Sequence, residues 1–64
     1  MRLKSFVELL EDGYGRALEA LDMMTNNFSF EYGNRLVIHD VKHEQLMKDD
    51  SGQVIVRTIT YSVK

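Results

Sequence analysis

Cysteine is absent from the 64 residues, which excludes disulfides and thiolate metal sites and leaves a small domain without a covalent staple. A core of this size is marginal for a monomer, so association with a second chain is expected from length alone. No apolar run approaches the roughly 20 residues that cross a bilayer. The cationic start, Met1-Arg2-Leu3-Lys4, is followed by Glu8, Glu11 and Asp12, which fits neither a signal peptide nor an acid-poor transit peptide. The chain reads as cytoplasmic, with no membrane partner. A basic surplus is also missing. Net charge is −2, with three Lys/Arg against six Asp/Glu in residues 1–32 and five against four in residues 33–64. Nucleic-acid binding draws affinity from neutralising phosphates and normally shows a basic stripe. It is therefore the lesser reading here.

What is present is a folding composition, 44% hydrophobic and 28% charged, too apolar for a disordered chain. Two periodicities divide it near Thr25-Asn26-Asn27. Before that point Leu3, Val7, Leu10, Tyr14, Ala17, Leu21 and Met24 alternate spacings of three and four, as on one face of a helix. Ser5-Phe6-Val7-Glu8 matches a capping box at its start. Gly13 and Gly15 interrupt the pattern at a cost of about 1 kcal/mol each relative to Ala, so the helix is expected to be continuous, kinked or broken there. After the division three strands are read: Phe28–Tyr32, then Leu36–Ile38 continued through residues 39–48, where two helical turns are the alternative, and then Val54–Val63. The last is the strongest, rich in β-branched residues and free of breakers. The predicted fold is α+β, a single domain over residues 1–64 in which one N-terminal helix packs on a three-stranded antiparallel β-meander.

A four-residue turn at Asp49-Asp50-Ser51-Gly52 sets Lys48 opposite Gln53 and Leu46 opposite Ile55. A three-residue loop, Tyr32-Gly33-Asn34, then adds Phe28 and Phe30 to the same face. The helix is predicted to lie across Phe28, Phe30, Leu36, Ile38, Ile55, Ile59 and Tyr61. That leaves Val37, His39, Val41, His43, Val54, Val56, Thr58 and Thr60 on an uncovered face, and the last strand with an unpaired edge. These eight residues are the candidate partner-binding surface.

Signals for chemistry are weak. His39 and His43 stand four apart, a chelating distance on a helix, but about 13 Å on a strand. Asp40 and Glu44 form a carboxylate pair without an evident pocket. The acidic turn at Asp49 to Gly52 lacks the later bidentate Glu of a calcium loop. Phe28, Phe30 and Tyr32 alternate like base-stacking aromatics, but with only Arg35 beside them, and are read as core. No enzyme activity, cofactor or metal is expected. The primary expectation is a small protein-interaction module, a regulator or inhibitor of the kind encoded by bacteria or phages, acting as a homodimer through its sheet face or edge. The alternative is a nucleic-acid-binding module using Arg35, Lys42, Arg57 and Lys64, and a small metal-dependent or acid/base enzyme is the remotest reading.

Overall fold

A computed structural model describes residues 1–11, 13–47 and 52–64. Strand β1 (Arg2–Leu9) comes first, followed by helix α1 (Tyr14–Tyr32), a 3₁₀ turn (Gly33–Arg35), strand β2 (Leu36–Met47) and strand β3 (Gln53–Val63). All pairings are antiparallel and the sheet order is β1-β3-β2. One helix on a three-stranded antiparallel sheet is the α+β class that periodicity predicts. The element order is β-α-β-β, however, and the N-terminal segment is a strand where a helix is expected.

The reason lies in a spacing that two structures share. Leu3 and Val7, four apart, fall on one face of a helix and equally on one face of a strand. β3 decides between them, because its apolar residues alternate on both faces and need a neighbour on each side. β1 fills the second side in unbroken register, from Arg2 opposite Tyr61 to Leu9 opposite Val54. The Ser5 hydroxyl lies 3.2 Å from the Thr58 hydroxyl across the sheet, so it does not cap a helix. The chain turns after Leu10 and reaches Gly13, whose φ of 99° is open to glycine at little steric cost, immediately before α1. The predicted helix face is real from there on, since Ala17 and Leu21 are fully enclosed.

A second correction concerns Phe28–Tyr32, predicted as a strand but forming the end of α1. Phe28 and Tyr32, again four apart, both point inward, whereas Phe30 lies on the far side of the helix and is 88% exposed. Phe28 is the centre of an aromatic cluster, with ring centroids 6.0 Å from Phe6, 5.2 Å from Tyr32 and 5.0 Å from Tyr61, all near edge-to-face. Asn26 and Asn27 therefore sit within the helix. Its end is Gly33, at φ 60° and ψ −136°, in place of the predicted three-residue hairpin loop.

The hairpin of β2 and β3 is present, with its ladder closed by Met47 opposite Gln53. Leu46 thus faces Val54, one residue from the predicted Ile55. The turn read at Asp49 to Ser51, and Lys48, lie outside the described residues. A bulge between Ile38 and Asp40 then shifts the register, so that Ile38 faces Tyr61 and Leu36 faces Val63. Core packing follows: Ile55, Ile59 and Tyr61 are buried under the helix, and Leu36 and Val63 pack against them.

Candidate interaction surface

Directly opposed residues of an antiparallel pair share a face, so the register sorts every side chain of the sheet. Arg57 reaches Asp22 and Thr25 on α1, which assigns the odd-numbered residues of β3 to the helix side. The open side consequently gathers Leu3, Ser5, Val7 and Leu9 from β1 with Val54, Val56, Thr58, Thr60 and Ser62 from β3. Among the described residues these nine include no charged side chain. Charges enter the open side only on β2, through Asp40, Lys42 and Glu44. Leu3 is 70% exposed, Val7 52% and Leu9 39%, an apolar strip on a face that no element among the described residues covers. An uncovered sheet face ordinarily alternates polar side chains toward water.

Six of the eight predicted surface residues belong to this face: Val37, His39, Val54, Val56, Thr58 and Thr60. Val41 and His43 do not. The ladder closes one residue off the predicted register, with Met47 opposite Gln53, so Val41 faces Ile59 and His43 faces Arg57, both on the helix side, and the bulge at His39 returns Val37 and His39 to the open side. Val54, though on the open side, is itself enclosed between Leu9 and Leu46, its partners on either strand. The histidines are thereby separated to opposite faces, His39 bonded through Nε2 to the Ser62 hydroxyl at 2.7 Å. Among the described residues no group of three metal-ligating side chains converges and no pocket is found. The edge prediction is also corrected: β3 is the central strand, paired on both sides, and the free edges belong to β1 and β2. The N-terminal residues took the place that a meander would have left open.

Beneath the helix lies one polar cluster. The Arg57 guanidinium, although the residue is only 8% exposed, donates from Nη1 to Asp22 Oδ1 at 2.7 Å and to Thr25 Oγ1 at 3.0 Å. Its Nε donates to His43 Nε2 at 2.9 Å, which requires the neutral ring with its proton on Nδ1. Thr25 in turn donates to the Leu21 carbonyl at 2.7 Å. Three of the five guanidinium N–H groups are thus answered by side chains of the fold. Arg57 is thus withdrawn from the predicted basic set of Arg35, Lys42, Arg57 and Lys64. The other three do not form one patch: Lys42 lies 4.0 Å from Asp40 on the open face, whereas Arg35 and Lys64 adjoin at one end of the sheet, where the Lys64 amide donates to the Arg35 carbonyl.

Comparisons with protein-family models, with curated sequences and with solved structures find no match to this chain. The site must be read from its own geometry. Leu3, Val7 and Leu9 are the contributors that helical periodicity concealed. Their signal was an alternation from residue 3 to residue 9, visible once period two is tried there.

Proposed function

We propose that this chain is a non-enzymatic protein-interaction module whose binding element is the side of the sheet that α1 leaves uncovered. The observation that carries the reading is the uncharged strip formed by β1 and β3, with Leu3, Val7 and Leu9 exposed beside Val56 and Thr58. A contiguous apolar patch on a small protein is characteristic of a surface that associates. Charged residues ring it on one side only, along β2, giving the strip a polar border of the kind that interfaces carry. The Arg57 cluster supports the same reading, because its Nη1 bonds to Asp22 and Thr25 hold helix to sheet.

The test is affinity capture from host lysate, comparing the wild-type chain with the face variant Val7→Lys/Thr58→Lys and with a control, Glu19→Lys, on the exposed side of α1. A protein retained by the wild type and by Glu19→Lys, but lost from the face variant with its circular dichroism unchanged, is the expected result. Retention by the face variant, or no protein retained in a face-dependent manner, overturns the proposal.

A further inference from the structure

The two free edges of the sheet are not equivalent. β2 carries the devices that keep an edge from pairing: a bulge at His39 and charges on alternate residues from Asp40 to Glu44. β1 has neither a bulge nor a charge on its open side, and its ladder to β3 is regular throughout. The Leu10 amide donates to the Gln53 carbonyl at 3.0 Å. Because hydrogen-bonded positions alternate along an antiparallel strand, the even-numbered residues of β1 bond to β3 and the odd-numbered ones, Leu3 to Leu9, turn their main-chain groups outward.

We propose that the β1 edge pairs with the β1 edge of a second copy, antiparallel, about a twofold axis at Phe6. This goes beyond the binding face, since it concerns the edge and names its occupant. In this register Leu3 opposes Leu9 of the second copy on the open side, while Lys4 opposes its Glu8 on the helix side. Each match occurs twice. The outward groups of Leu3, Ser5, Val7 and Leu9 then form about eight main-chain hydrogen bonds. Moving the axis to Lys4 would set Lys4 against itself, whereas the axis at Phe6 opposes unlike charges and joins leucine to leucine.

The helices supply the remaining contact. Asp22 and Thr25, which reach Arg57 and through it His43 of β2, mark the flank of α1 toward β2. At 100° per residue, the flank toward β1 then carries Arg16, Ala20, Met23 and Asn27. Helices seated over β1 and β3, in strands about 4.8 Å apart, come to roughly 10 Å across the axis, the spacing of packed helices. Met23, 68% exposed in the single chain, lies on that flank, and Ala20 permits close approach. Strand pairing alone buries less than the roughly 800 Å² per partner of a standard interface, and this helix contact makes up part of the difference. The product is a six-stranded sheet with one continuous open face.

Light scattering on the size-exclusion peak tests the assembly: the expected mass is twice the 7.5 kDa of the chain. Ser5→Pro removes an outward amide at an edge position, where a monomer tolerates proline, and is expected to elute at the single-chain mass with its circular dichroism retained. A second arm does not depend on that variant folding. Because the chain lacks cysteine, Lys4→Cys and Glu8→Cys are each expected to stay uncrosslinked alone and to form a disulfide-linked dimer when mixed and oxidised. A wild type that is monomeric at all concentrations, a folded Ser5→Pro variant that remains dimeric, or crosslinking by either single variant but not by the mixture would each overturn the proposal. A monomer that still captures a face-dependent partner separates failure at the edge from failure of the face.

Discussion

Asp22→Ala and Arg57→Met have opposite expected outcomes, although both break the same 2.7 Å contact. Removing Asp22 leaves the guanidinium beneath the helix with its cationic charge unpaired. Losing one partner of a fully buried pair costs about 3–5 kcal/mol, but the Asp22 side chain is 62% exposed, so water replaces much of it. The expected loss is about 1–2 kcal/mol. Arg57→Met instead removes the buried charge, while Asp22 and His43, both exposed, return to water. Methionine's unbranched chain fills the slot between Ile55 and Ile59, so stability should change by less than about 1 kcal/mol. Introducing Asp22→Ala into the Arg57→Met background should then cost close to nothing, giving a coupling of about 1–2 kcal/mol. The assay is urea and thermal unfolding followed by circular dichroism at one fixed protein concentration, since association shifts apparent stability. For a domain of this size 1 kcal/mol corresponds to about 4–8 °C in Tm. A loss above about 3 kcal/mol for Arg57→Met, with Asp22→Ala silent in both backgrounds, would refute the reasoning.

Phe28→Ala should cost about 3–5 kcal/mol and unfold much of the population, whereas Phe30→Ser, two residues on and exposed, should stay within about 0.5 kcal/mol by the same unfolding assay. Equal losses would restore the strand reading of Phe28–Tyr32. Gly33→Ala meets open space for its Cβ, so its expected cost of about 1–2 kcal/mol is backbone strain alone, read as a shift in urea midpoint. Lys4→Glu sets like charges across the proposed axis and should weaken dimerisation about tenfold by analytical ultracentrifugation, and Glu8→Lys added to it should restore the affinity.

The β2-β3 hairpin and the burial of Ile55, Ile59 and Tyr61 were legible because β3 is long, β-branched and unbroken, a pattern no helix shares. Ala17 and Leu21 were legible because their spacing continues through two turns of real helix. Both misassigned segments turn on pairs four residues apart, Leu3 with Val7 and Phe28 with Tyr32, where periods of 2 and 3.6 coincide and the local pattern carries no preference. Tertiary demand resolves them. β3 requires a strand on its second side, and the aromatic cluster requires Phe28 to arrive from above the sheet. The candidate face was partly legible for a related reason: Val56, Thr58 and Thr60 follow from β3 alone, while Val41 and His43 were inverted because the ladder closes at Met47 opposite Gln53, one residue off the expected register, and the bulge at His39 restores the expected side only for Val37 and His39.

Amide hydrogen exchange resolved along β1 tests the central claim, that this chain presents a sheet built to associate, most directly. The account predicts that the Lys4, Phe6 and Glu8 amides, bonded to β3, are protected at every concentration, and that those of Leu3, Ser5, Val7 and Leu9 become protected as concentration rises. Rapid exchange of Leu3, Ser5, Val7 and Leu9 at high concentration, or of all of β1 at any, would contradict it.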